Sequence, residues 1–253
     1  MQLESLLQYL DAYLGVRDFP DFPNALNGLQ VEGGPEVRKV VAAVDASEAS
    51  ILEAASRGAD LMVVHHGLFW EGLQPLTGRL LRRVGPLLEH GIGLYSVHLP
   101  LDSHAEVGNS ALLARALGLD VQGRFAAYQD VEIGWWGTFG EGASAEDLRR
   151  SVAEAVDGAP VHLIPGGPDR VERVGVVTGG GASFVGEAVE AGLDALVTGE
   201  GSHHTHFDAM EMGIHLLFGG HYATEVFGVQ ALTVHIAERF DLEWSFIDHP
   251  TGL

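Results

Sequence analysis

The stretch VVAAVDASEASILEAASRGADLMVVHHG, residues 40–67, decides the fold. Its first five residues are apolar and predict a buried strand, and residues 45–47 form a turn with good helix N-cap chemistry. The helix that follows stops at Gly58, and the apolar run 61–64 predicts a second buried strand. Strand, helix and strand in this order form a β-α-β unit. His65 stands at the carboxyl end of the second strand, where ligands bind in open α/β sheets.

The same unit recurs in the second half of the chain. Residues 174–178 predict a strand and residues 195–198 the next one, with a helix over 183–191 between them. The glycines at 179–181 could cradle a phosphate, but an ordinary strand-to-helix turn is favoured because the matching turn of the first copy has no such glycines. The copies align without a gap. The matched pairs are Val40 and Val174, Gly58 and Gly192, Asp60 and Asp194, and His66 and Glu200, each 134 positions apart.

A His followed four residues later by a carboxylate also occurs twice. His98 and Asp102 follow an apolar strand of the first half, and His221 and Glu225 stand 123 positions further on. On a helix or helical turn, residues at this spacing share a face. Related halves usually face each other across a pseudo-twofold axis, so we expect the two matched turns to meet in one cleft.

The predicted fold class is α/β, with two related α/β lobes whose mixed sheets face each other across a central metal-binding cleft. The first lobe spans residues 1–122 and the second residues 173–253, and the segment 123–172 links them. Together they are expected to form one compact two-lobed unit. The linking segment contains Trp135 and Trp136, for which packing in the interior or in an interface is favoured over stacking on a base.

Composition excludes several classes of protein. The chain has 14 Lys and Arg against 35 Asp and Glu, a formal net charge of −21, which disfavours direct binding to nucleic acid. It has no Cys, so disulfides, iron–sulfur clusters and thiol catalysis are excluded, and any metal must be held by His, Asp and Glu. Without a basic leader or an apolar run of membrane-spanning length, we expect a cytoplasmic protein that does not associate with membranes.

Three clusters at predicted strand ends carry the metal chemistry. Taken alone, each has an ordinary explanation as a hydrogen-bonded strand end, a turn or a helix start. Together they bring five candidate ligands to one side of the predicted sheets, and five ligands suit a dinuclear site better than a single catalytic metal. The set suits Zn, Fe, Mn, Co or Ni and does not choose among them. The predicted ligands of two divalent ions are His65, His66, Asp102, His221 and Glu225.

Further polar residues are candidates for catalysis. Glu200 and His204 are the predicted catalytic residues, as general base, as residues that orient a ligand or as substrate contacts. His203 and His206 belong to the same cluster, and the alternative for the whole cluster is a polar helix start. His98 is either a sixth ligand or a residue that orients a ligand.

Four motifs resemble the signatures of the GTP cyclohydrolase 1 type 2 family, also called the NIF-three-like family. They are residues 64–70 (VHHGLFW), 98–102 (HLPLD), 198–200 (TGE) with His203 and His204, and 220–225 (GHYATE). The resemblance covers nearly the whole chain and is to the short form, which has no domain inserted between the halves. One departure lies near the N-terminus, where the family often has Trp-Asp-Asn-x-Gly-Leu and residues 23–29 lack the Trp-Asp.

The resemblance implies a two-lobed α/β fold, a dinuclear metal site with these five ligands and a toroidal homohexamer. It also implies ring opening of GTP, although two metals and an activated water would equally serve hydrolysis of phosphoesters or amides. We therefore expect a metal-dependent hydrolase whose substrate is a small molecule such as a nucleotide. The alternative is a non-enzymatic metal-binding scaffold or a regulatory interaction protein.

Overall fold

The computed structural model describes residues 1–140 and 142–253, which divide into two units. The first unit contains Met1–Leu101 and Gly228–His249, and the second contains Asp102–Phe227 and Pro250–Leu253. Each unit contains one sheet and its helices. Two helices have residues in both units: α4 (Leu99–Asp102) and α9 (His221–Phe240).

The first unit is built on a five-stranded sheet. Its other elements, in chain order, are α1 (Leu3–Leu14), β1 (Gly28–Val31), β2 (Lys39–Asp45), α2 (Glu48–Ser56), β3 (Leu61–His66), α3 (Gly78–His90), β4 (Gly93–Ser96) and β11 (Glu243–Phe246). The strand order is β1-β4-β3-β2-β11, and only β1 runs antiparallel to its neighbour. The parallel strands therefore end on one edge of the sheet, where His65 and His66 close β3.

The second unit is built on a six-stranded sheet. Its elements are α5 (Asn109–Ala116), β5 (Asp120–Tyr128), β6 (Val131–Thr138), α6 (Ala145–Ala155), β7 (His162–Pro165), β8 (Arg173–Val176), a 3₁₀ helix (Gly181–Phe184), α7 (Val185–Glu190), β9 (Ala195–Thr198), α8 (Thr205–Met212) and β10 (His215–Phe218). The strand order is β5-β6-β8-β9-β10-β7, with β8, β9 and β10 parallel. Both sheets are mixed, which confirms the predicted α/β class.

Local chemistry explains why the β-α-β unit forms where the sequence predicts it. The five apolar residues 40–44 of β2 are all buried. Ser47 then caps α2 through a capping box with Ser50, in which each side chain bonds the other residue's backbone N–H. Ile51 on α2 packs with Met62 and Val64 of β3 in the core of this unit. Burial of these side chains is the main stabilising term.

The internal repeat extends to individual hydrogen bonds. Val40 pairs with Leu61 between β2 and β3, and Val174 pairs with Ala195 between β8 and β9, at the same offset of 134 positions. In each copy an aspartate accepts hydrogen bonds from two consecutive backbone N–H groups that precede or open the first strand. The donors are Arg38 and Lys39 for Asp60, at 2.8 and 2.9 Å, and Glu172 and Arg173 for Asp194, at 2.9 and 2.8 Å. The two copies are therefore built by the same local rules.

Two features of the chain path were not predicted. The segment 123–172, expected to link two lobes, includes β6, β7 and α6, and its strands pair within the second sheet. The chain then returns, because β11 pairs in parallel with β2 of the first sheet. Strand partners that lie about 200 positions apart carry no periodicity signal in the sequence.

Candidate metal centre

Three imidazoles form a cluster at the strand-end edge of the first unit. His65 and His66 end β3, and His98 follows β4, the next strand of the sheet. One ring nitrogen of each lies within 4.8 Å of a ring nitrogen of the others. Successive side chains of an extended strand point to opposite faces, yet the rings of His65 and His66 have centroids only 4.7 Å apart. Both reach the same place because β3 ends at His66.

Hydrogen bonds fix the first two rings in one tautomer. His65 is fully buried, and its Nδ1–H donates to the backbone carbonyl of Val97 at 2.9 Å. His66 Nδ1–H donates to a carboxylate oxygen of Asp45 at 2.9 Å. A carbonyl or ionised carboxylate can only accept, so Nδ1 carries the proton and Nε2 is the basic nitrogen of each ring. This is the arrangement found around metal-bound histidines.

The bend after His66 depends on close packing with the N-terminal segment. A Cβ on Gly67 would collide with the amide of Gln30. That amide is held at both ends, since its Oε1 accepts from Leu68 N–H at 2.7 Å and its Nε2 donates to the carbonyls of Ala25 and Leu26, both at 3.1 Å. The segment around Gln30 therefore fixes the turn that follows the His pair.

A His–Glu pair stands at the start of α9 in the second unit. His221 is the first residue of this helix and Glu225 lies one turn later, with His221 Nε2 at 3.2 Å from a carboxylate oxygen of Glu225. Glu225 is only 2% exposed, so its charge lies out of water. Gly179, which follows β8, leaves room for that carboxylate, because a Cβ at Gly179 would collide with Glu225 Oε1.

Two further predicted residues have defined contacts in the second unit. Glu200 accepts a hydrogen bond from His221 Nδ1–H at 2.9 Å, so its carboxylate orients a predicted ligand. Asp102 is buried and accepts from Asn109 Nδ2 at 2.8 Å and from Thr178 Oγ1 at 3.3 Å. The amide of Asn109 and the hydroxyl of Thr178 thus fix the position of this carboxylate.

Three further histidines lie at the start of α8, in an ordinary polar helix start. His203, His204 and His206 are exposed at the start of α8, and His204 accepts backbone hydrogen bonds from Phe207 and Asp208. This is the polar helix start that the sequence offered as the alternative. The proposed role of His204 in catalysis stays a prediction, whereas Glu200 has a position that affects His221 directly.

The two carboxylates around His221 change its acidity. Burial lowers the pKa of His221, but the hydrogen bonds and charges of Glu225 and Glu200 outweigh burial and raise the pKa to about 9. The metal-free ring is therefore protonated at neutral pH, with Nδ1–H on Glu200 and Nε2–H on Glu225. This ion pair stabilises the metal-free fold fully below the ordinary imidazole pKa, and the contribution is lost as the pH rises through about 9.

Cation binding should therefore release a proton from His221. A cation at Nε2 must displace the proton there, so apparent affinity should rise by up to about tenfold per pH unit and level off above pH 9. Glu200→Gln should lower this pKa and move the plateau to lower pH, whereas Glu190→Gln, an exposed change at the end of α7, should not. Calorimetry in buffers of different ionisation enthalpy measures the proton count. Affinity independent of pH between 7 and 9 would contradict this account.

These donors fit divalent metal ions. The first unit offers imidazoles whose Nδ1–H groups are already engaged, and the second offers an imidazole beside a buried carboxylate. Imidazole and carboxylate are the ligands that Zn, Mn, Fe, Co and Ni share. The chain thus contains groups of His, Asp and Glu that could bind a metal ion.

Comparison with known proteins identifies the family. A family model described as Duf34/NIF3 (NGG1p interacting factor 3) matches residues 1–252. The chain belongs to the DUF34/NIF3 family. Among its relatives, a GTP cyclohydrolase 1 type 2 homolog of Deinococcus radiodurans is 40% identical over 250 residues, covering 99% of this chain and 94% of that protein. A protein of the same name from Pseudomonas aeruginosa is 41% identical, covering 98% and 97%.

A solved structure supports the fold of this DUF34/NIF3 protein. The structure, described as protein ybgI of unknown function, matches with a TM-score of 0.93 at 39% identity and covers 100% of both chains. The predicted resemblance and the two-sheet α/β fold are both confirmed. Within residues 1–140 and 142–253, no helix combines the length and the apolar character that crossing a membrane requires.

Sequence reasoning missed two carboxylates of this DUF34/NIF3 protein. From the sequence, Asp45 belongs only to the predicted turn at residues 45–47, and Asp21 has no predicted role. Asp45 is the register partner of His66 across β2 and β3, so its place beside the His pair could have been found from strand pairing. Asp21 gave no such signal, because it approaches His98 from 77 positions away.

Proposed function

We propose that this protein binds two divalent metal ions and uses them to hydrolyse a small molecule. The proposed ligands are His65, His66, Asp102, His221 and Glu225. The observation that carries the proposal is that Nδ1 of all three proposed ligand imidazoles donates to an oxygen, which supports Nε2 of each ring as the atom that binds a metal. Two neighbouring divalent ions would lower the pKa of a water and polarise the bond to be broken.

The chain's own residues have the following tasks under this proposal. Asp45 and Glu200 orient His66 and His221. Glu200 uses one carboxylate oxygen for this bond and its side chain is 53% exposed, so the other oxygen can accept a proton from a substrate. Asn109 and Thr178 hold the carboxylate of Asp102. Glu200 is thus proposed both to position a ligand and to move a proton.

Relatives named GTP cyclohydrolase 1 type 2 homolog make the purine ring of GTP the first substrate to test. Simple phosphoesters are the second, since two metals serve both reactions. Protein that is stripped with a chelator and reloaded with one kind of metal at a time should bind close to two ions per chain. The metal-loaded protein should turn over at least one of these substrates, and the stripped protein should turn over none. His221→Asn should lose turnover. A reproducible value of one ion per chain would overturn the dinuclear site. Two ions per chain with no turnover of GTP or phosphoesters would favour the alternative of a non-enzymatic metal-binding scaffold.

We also propose that the chain assembles as a homohexamer, as the resemblance to the family implies. Light scattering of the purified protein should then give a mass well above that of a dimer of this 27.0 kDa chain. A monomer at every concentration would overturn this proposal without affecting the metal site.

A further inference from the structure

The Asp21 carboxylate, in the loop between α1 and β1, accepts four hydrogen bonds within the first unit. Its Oδ1 accepts from the ring Nδ1–H of His98 at 2.8 Å and from the backbone N–H of Phe22 at 2.7 Å. Its Oδ2 accepts from the backbone N–H of Leu99 at 2.9 Å and from Asn27 Nδ2 at 2.8 Å. The side chain is only 6% exposed. Each of these four donors is thus matched to one of its two oxygens.

Asp21 is ionised in this environment. Burial raises the pKa of Asp21, but its hydrogen bond and charge interaction with His98 and its bonds from Asn27 and Phe22 outweigh burial and hold the pKa below its ordinary value. An ionised carboxylate has no proton to donate. Nδ1 of His98 is therefore the donor in this hydrogen bond, and Nε2 is the ring nitrogen that does not face Asp21.

His98 is fixed beside the other two imidazoles. Its ring centroid lies 5.1 Å from that of His65 and 5.9 Å from that of His66. The loop fixes its backbone as well, since His98 N–H donates to Asn27 Oδ1 at 2.8 Å. Trp70 packs edge-on against the ring at 4.8 Å. These contacts fix the position of the His98 ring, so its chemistry at the cluster depends on which ring nitrogen carries the proton.

We propose that Asp21 is a positioning residue that sets the tautomer of His98. With Nδ1–H committed to Asp21, the ring presents an electron pair at Nε2 to whatever binds beside His65 and His66. In the opposite tautomer Nε2 would carry a proton, and that nitrogen could neither ligate a cation nor accept a hydrogen bond. The loop between α1 and β1, which lacks the family's usual Trp-Asp, would thus orient one imidazole of the His65, His66 and His98 cluster.

Asp21→Asn tests the proposal because the amide cannot satisfy the same four donors. If the new NH₂ group faces Leu99 and Asn27, it opposes two donors, and Asn27 cannot turn without losing its bond from His98 N–H. If the NH₂ group faces His98 and the backbone N–H of Phe22, it again opposes two donors, but the ring relieves one of these conflicts by moving its proton to Nε2, which no donor in the other orientation can do. The variant should therefore favour the Nε2–H tautomer.

Neutron diffraction from deuterium-exchanged crystals of metal-free protein locates the ring deuteron directly. Crystals at about pH 9 keep an ordinary imidazole neutral. The wild type should show deuterium on Nδ1 of His98 and Asp21→Asn should show it on Nε2. Asp18→Asn removes the same charge from an exposed position of the same loop and should match the wild type.

Two outcomes would overturn the proposal: deuterium on Nε2 in the wild type, or on Nδ1 in Asp21→Asn. The wild-type result alone tests it if the variant fails to fold. Because the crystals contain no metal or substrate, a failure here would say nothing against the hydrolase proposal.

Discussion

Glu225→Gln should lose most of the protein's affinity for divalent cations. Gln has nearly the same shape but no charge, and Glu225 is 2% exposed, so water cannot replace the missing charge. Removing a residue that only orients a ligand costs about 10–100-fold in metal affinity, so removing a ligand should cost more than about 100-fold. Titration of chelator-stripped protein against a metal-sensitive dye measures this change.

The matched control is Glu211→Gln, which removes the same charge from an exposed position on α8. It should bind cations as the wild type does, which separates the loss of a ligand from the loss of net charge. Circular dichroism should show the same secondary structure in both variants. Wild-type stoichiometry and affinity in Glu225→Gln would remove Glu225 from the ligand set.

The β-α-β units could be predicted because their signals are local. The apolar run 40–44, the cap at Ser47 and the turn at Gly58 each depend on neighbours a few residues away, and the structure forms a strand, a helix and a strand there. The repeat at 134 positions was visible for the same reason. The structure shows that the repeat also includes hydrogen bonds that the sequence pattern does not predict, such as those from consecutive backbone N–H groups to Asp60 and Asp194.

The sheet order and the ligand supports could not be predicted in the same way. β11 joins β2 from the far end of the chain, and the pairing depends on hydrogen bonds that any extended backbone can make. The predicted ligand histidines are recognisable by residue type and spacing, but the residues that hydrogen-bond to them or fix the turn after them are not. Asp21, Asp45 and Gln30 act by contacts across 21 to 77 positions, and each residue type is common in ordinary loops and turns.

Glu200 illustrates how the repeat and the site constrain each other. It matches His66 at the 134-residue offset; His66 is the last residue of β3, and Glu200 lies just after the equivalent strand, β9. The two residues have nevertheless diverged in chemistry. His66 donates to the carboxylate of Asp45, whereas Glu200 is itself the carboxylate that accepts from His221. One repeat position thus holds a predicted ligand in one copy and a residue that orients a ligand in the other.

Gly179→Ala should disrupt both the turn after β8 and the metal site. Gly179 has a φ of +63°, in the left-handed region that costs other residues about 1–2 kcal/mol. Its backbone cannot shift easily, because its N–H donates to Thr224 Oγ1 at 3.1 Å and its carbonyl accepts from the N–H groups of Gly199 and Glu200 at 2.9 and 3.0 Å. The new methyl group must therefore displace the carboxylate of Glu225.

The adjacent Gly180→Ala is the control. Gly180 has a φ of −82°, and a Cβ there would meet nothing within 4 Å. Alanine at such a position is neutral or slightly stabilising, because it reduces the entropy of the unfolded chain. Gly179→Ala should lower the melting temperature by several degrees, at about 2–4 °C per kcal/mol for a chain of this size, and should weaken cation binding as well. Calorimetric melting and metal titration of both variants measure the two effects.

Equal behaviour of the two variants would show that Glu225 is not held by this turn. If only Gly179→Ala is impaired, the run of glycines at 179–181 is explained by packing, and no bound phosphate is needed to account for it. Gly179 is needed for its positive φ and for the space that Glu225 occupies, whereas a Cβ on Gly181 would press on Val177 and Thr198. The glycines of this turn then serve the close approach of a buried carboxylate to the backbone, and Gly180 alone is free to change.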